Sequence, residues 1–67
     1  MSGRDVRRVL EAHDFALVRQ RGSHMVLQRV SGGSTVTTVV PDHDELRIGT
    51  LLSVIRQSRL PRELFEA

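Results

Sequence analysis

Within Gly22-Ser23-His24-Met25-Val26-Leu27-Gln28-Arg29-Val30-Ser31-Gly32-Gly33, His24 to Val30 reads as one strand held between two turns. Side chains of a strand alternate between faces, so Met25 and Leu27 share one face and His24, Val26 and Gln28 the other. The turn signals make the neighbours strands as well. Phe15 to Gln20 precedes it, and Thr35 to Val40, rich in β-branched Thr and Val, follows. Gly22-Ser23 and Ser31-Gly32-Gly33-Ser34 are short connections, which dictates an antiparallel meander. Met25 and Leu27 then need a covering layer, and His24 is left toward solvent.

That layer comes from the flanking segments. Val6, Val9, Leu10 and His13 follow the i, i+3, i+4, i+7 spacing of one helix face, with Ser2 as N-cap and Asp14 as terminator. Arg4, Arg7, Arg8 and Glu11 follow the same spacing on another face, a basic stripe that either is solvated or meets RNA or a partner. Pro41 ends the third strand because proline cannot serve a central ladder. Asp42-His43-Asp44-Glu45 is a loop in which Asp44 is expected to cap the next turn. A second helix is expected from about Ile48–Thr50 to Gln57, with Ile48, Leu51, Leu52 and Ile55 on its apolar face and the Thr50 hydroxyl as cap. Pro61 opens a last helical turn through Phe65. The expected fold is α+β: order α-β-β-β-α, a three-stranded antiparallel sheet with the helices on one face, in a single domain over residues 1–67.

Composition restricts the chemistry. A chain of 67 residues has room for one small core, worth about 3–5 kcal/mol, and a ligand must be read on a surface or shallow groove. Without cysteine there is neither a disulfide scaffold nor a thiolate metal site. Met1-Ser2-Gly3-Arg4 lacks an apolar signal core and no apolar run approaches membrane length, so a cytoplasmic location is expected. All ten basic residues are arginine, which does not exchange protons near neutrality, so proton transfer falls to histidines, carboxylates and hydroxyls. A net charge of +2 is too small to argue nucleic-acid binding in bulk; position has to carry that argument.

Position points to Arg19-Gln20-Arg21-Gly22-Ser23-His24. A histidine has its ordinary pKa near neutrality, and a guanidinium holds phosphate oxygens as a fork. Together they suit cleavage of a nucleic-acid backbone, with Arg19 and Arg21 on the phosphate. Ser23 and His24 are strand neighbours that point to opposite faces, which excludes a hydrolase dyad and leaves Ser23 as a turn residue or phosphate donor. His43, between Asp42 and Asp44, reads as a loop residue or an RNA contact rather than a metal ligand, and His13 as a structural residue at a helix end.

Three elements together resemble the HicA toxin family of bacterial toxin–antitoxin systems. They are a short amphipathic helix ending before Phe15, the stretch Arg19-x-x-Gly22-Ser23-His24, and Val40-Pro41-x-His43 followed by Leu46-x-x-Gly49-Thr50-Leu51-x-x-Val54-Ile55-x-Gln57. The resemblance implies a double-stranded-RNA-binding-domain-like fold and cleavage of messenger RNA. Because no motif offers convergent metal ligands, that cleavage is expected to need neither a metal nor another cofactor. The resemblance also implies His24 as the catalytic histidine and a HicB-type antitoxin as inhibitor; a second copy of the chain is a separate candidate partner. Where the family usually has glycine this chain has Asp14, and it contains no lysine. The alternative is a non-catalytic RNA-binding module of the same shape. Its single-strand variety is disfavoured by having only Phe15 and Phe65 as aromatics.

Overall fold

Helix α1 (Gly3–Ala12) begins where the sequence asks it to. The Ser2 hydroxyl accepts the Asp5 amide at 3.0 Å, and the Ser2 amide donates to the Asp5 carboxylate at 3.2 Å, closing a capping box. That amide, with the Ser2 hydroxyl next, holds the Asp5 carboxyl below its ordinary range. A depressed carboxyl contributes stability that is full above its unfolded pKa and fades as pH falls through the folded one. The helix stops at His13, whose ring lies 2.9 Å from the Val9 carbonyl, and the chain reverses at Asp14 with φ of 73°. The computed structural model describes residues 1–66; Ala67, the last residue of the expected domain, lies outside the described residues.

Strands β1 (Ala16–Arg21), β2 (His24–Ser31) and β3 (Ser34–Pro41) form an antiparallel sheet in that order, each within a residue or so of its expected bounds. Helix α2 (Ile48–Ser58) and a 3₁₀ turn η1 (Arg62–Phe65) complete the α-β-β-β-α order, so the double-stranded-RNA-binding-domain-like α+β architecture holds. Both helices cover one face. Val6 and Leu10 of α1, Met25 and Leu27 of β2, Val36 and Val40 of β3, Val54 of α2 and Phe65 share the core. Thr38, fully buried on β3, donates to Gln57 on α2 at 3.0 Å, so its hydroxyl is not stranded in the interior. Gly3 approaches β3 so closely that a Cβ there would stand 1.9 Å from the Pro41 carbonyl oxygen.

Three details of the second half differ from expectation. Neither Thr50 nor Asp44 caps α2. Its N-cap is Arg47, without a capping side chain, and the Asp44 carboxylate is bound elsewhere, to Arg4. The buried face of α2 is Val54, Ile55 and Ser58, with Leu51 partly covered, whereas Ile48 and Leu52 lie outside. The apolar spacing fits both stripes, because the stripe is wider than the sheet beneath it can cover.

α2 ends on Arg59 in the left-handed conformation, φ 62°, a position that suits glycine. Arg59→Gly is expected to stabilise the fold by about 0.5–1 kcal/mol, read from a urea titration. A loss of stability would mean that the Arg59 side chain contributes more than its backbone costs.

Candidate nucleic-acid interface on the open sheet face

Register decides which side chains meet. His24 pairs with Arg21 on β1 and Pro41 on β3, and Val26 pairs with Arg19 and Val39. Cross-strand partners share a face, with Cβ atoms roughly 4.5–5.5 Å apart and diagonal neighbours at roughly 7–8 Å. His24, Arg21 and Arg19 therefore stand together on the face turned away from the helices, and all three are exposed. Gln28 and Thr37 continue that face with a cross-strand hydrogen bond of 3.2 Å.

A bulge makes this possible. Leu17 pairs with the buried Leu27, yet Arg19 pairs with Val26, so the register shifts at Val18. Strict alternation from Leu17 would send Arg19 and Arg21 to the helix side, because all three have the same parity. The extra residue resets it. Leu17 packs against the core, and both arginines reach the open face.

The loop after β3 is fastened beside His24. The Asp42 amide donates to the Ser23 carbonyl, and the Gly3 amide donates to the His43 carbonyl at 2.9 Å. Arg4 forks onto Asp42 at 2.6 Å and onto Asp44. These bonds, Asp44 first, push the Arg4 guanidinium further up in pKa. His43 and Ser23 are both exposed, on adjoining segments next to His24.

The arginines thus fall into two populations. Those of the α1 stripe are engaged at home: Arg4 with Asp42 and Asp44, Arg7 with Glu11 at 3.3 Å, Arg8 with Asp5 at 2.8 Å. Of the two readings of that stripe, the solvated face is the one these pairs favour. Arg19 and Arg21 have no carboxylate within ion-pair distance among the described residues. Arg29, which the sequence reading passed over, lies on the helix side of β2 with its guanidinium 5.3 Å from the centre of the Phe15 ring. Its position follows from the parity of Met25 and Leu27, the signal that would have found it.

Among the described residues no helix is long and apolar enough to cross a membrane. A search of curated proteins finds no match. A family model described as the HicA toxin of bacterial toxin–antitoxin matches residues 3–60, a span that contains the helix start, the bulged strand, the Gly-Ser-His turn and the whole of α2. The chain therefore belongs to the HicA toxin family, as the toxin half of a system that includes an antitoxin.

Proposed function

We propose that this toxin is an endoribonuclease that cleaves messenger RNA on the open sheet face, with His24 as its catalytic residue. The observation that carries the reading is the ladder that sets Arg21 directly across from His24 and Arg19 one row away, all exposed. RNA brings its own nucleophile. The 2′-oxygen attacks phosphorus, the bond to the 5′-oxygen breaks, one proton leaves the 2′-hydroxyl and one reaches the departing oxygen. His24 performs one of these two transfers, as base or as acid. Arg19 and Arg21 hold the phosphate and the charge that builds on it, the Ser23 hydroxyl donates to a phosphate oxygen, and His43 makes a further RNA contact. Residues 1–67 act as one domain in the cytoplasm, and a HicB-type antitoxin inhibits by covering this surface with carboxylates that pair Arg19 and Arg21.

The chemistry needs no metal. Asp42 and Asp44, the carboxylates of the loop fastened beside β2, are already committed to Arg4. Cleavage of an RNA oligonucleotide is expected to persist in excess EDTA, to yield a 2′,3′-cyclic phosphate, and to stop when the scissile nucleotide carries a 2′-deoxyribose. Complete loss of cleavage in EDTA, or cleavage of the deoxy substrate, would overturn the mechanism. RNA that binds without being cut would favour the non-catalytic module.

A further inference from the structure

The side of α2 that misses the core carries a surface of its own. Ile48 is 70% exposed and Leu52 40%, a turn apart. With Leu51, Ile55 and Phe65 they line an apolar groove of about 360 Å³ between α2 and η1. Arg62 and Glu66 sit at its rim, joined by a loose ion pair of 3.6 Å. The groove belongs to the helix layer, whereas His24 lies on the uncovered side of the sheet.

Charge says what fits there. From Leu46 to Arg62 the chain holds Arg47, Arg56, Arg59 and Arg62 and not one carboxylate. Among the described residues Arg47, Arg56 and Arg59 have no acidic partner, in contrast to the internally neutralised arginines of α1. Arg47 also occupies the start of α2, where the helix dipole disfavours a cation and no side chain caps the first amides. A carboxylate from outside would satisfy both. RNA would meet the arginines but not the apolar floor. A second copy of the chain, docked symmetrically, would set arginine against arginine.

We propose that this groove is a docking site for an acidic amphipathic helix of a protein partner. The partner's apolar ridge lies on Ile48, Leu52, Ile55 and Phe65, and its flanking carboxylates meet Arg47 at one end and Arg56 and Arg59 at the other. Occupancy does not cover His24, so this site tethers the partner and leaves inhibition to whatever reaches the sheet face. The inference is independent of the catalytic reading, because it concerns the other side of the molecule.

The test is a fluorescein-labelled helical peptide with Leu at i, i+3, i+4 and i+7 and Glu on both flanks, beside a version with Lys in place of Glu. Binding is followed by anisotropy and mapped by backbone amide shifts on the purified chain. The Glu peptide is expected to bind, to shift amides of residues 47–66, and to lose about tenfold or more in affinity on Leu52→Glu or Arg56→Glu. Both positions are exposed, so these variants fold, and His24→Ala should bind the peptide as the parent does. Equal binding of the two peptides, shifts confined to residues 19–28, or indifference to Leu52→Glu would overturn the proposal. So would an RNA duplex that displaces the peptide, or self-association through the same amides.

Discussion

His24→Ala is expected to fold like the parent chain and to lose cleavage by about 10²–10⁴-fold, with growth arrest lost alongside. The side chain is exposed and contributes nothing to the core, so stability should stay within about 0.5 kcal/mol. RNA affinity should change little, because Arg19 and Arg21 still offer their guanidiniums. Three measurements on one variant separate the cases: a thermal melt, an RNA titration at low salt, and growth after induced expression. Arrest as severe as with the parent chain would remove His24 from the mechanism. Loss of RNA affinity in parallel with cleavage would make it a binding residue instead. Arg19→Ala combined with Arg21→Ala provides the complement, because it should weaken binding first and flatten its dependence on salt.

Gly3→Ala should be the most damaging small substitution in the chain. The new methyl group would stand 1.9 Å from the Pro41 oxygen, and that oxygen belongs to backbone, which cannot swing aside as a side chain would. Overpacking of this kind costs about 1–3 kcal/mol, a large share of what a core this small supplies. The melting temperature should fall by about 4–8 °C for each kcal/mol lost. Gly49→Ala is the internal control. It lies in α2 with nothing near a new Cβ, so it should gain stability by about 0.5–1 kcal/mol. Melts of the two variants should therefore move in opposite directions, and an unchanged midpoint for Gly3→Ala would contradict the close approach of α1 to β3. Because Pro41 pairs with His24, the damage at Gly3 should also reduce activity in the fraction that remains folded.

The meander was legible because its signals are local. Glycines at Gly22, Gly32 and Gly33 take positive φ, and the buried Met25 and Leu27 alternate with the less buried His24, Val26 and Gln28, so turn and period agree. Ser2 was legible for the same reason, since its partner Asp5 lies in the next turn. What escaped was set by distant residues. Arg4 finds Asp42, 38 positions away, and Asp44 beyond it, so the basic stripe and the acidic loop cancel in a way that neither segment announces. The apolar stripe of α2 was visible, but which half of it is buried depends on the width of the sheet below. The clustering of His24 with Arg19 and Arg21 was suggested by proximity in sequence, yet the reason both arginines share its face was not readable. No glycine or proline marks the irregularity at Val18.

That irregularity makes Val18 a residue that the ladder between β1 and β2 passes over. Val18 is exposed, and its side chain has no duty that another residue could not perform. Its place in the count is what the bulge absorbs, because Leu17 and Arg19 already oppose the successive residues Leu27 and Val26. Point changes there should pass almost unnoticed. Removal of the one codon would make Leu17 and Arg19 ladder neighbours, so Leu17 would stay inward and Arg19 and Arg21 outward in an unbulged strand. Among relatives, a segment from Phe15 to Gly22 that is shorter by this one residue should therefore present the same working surface.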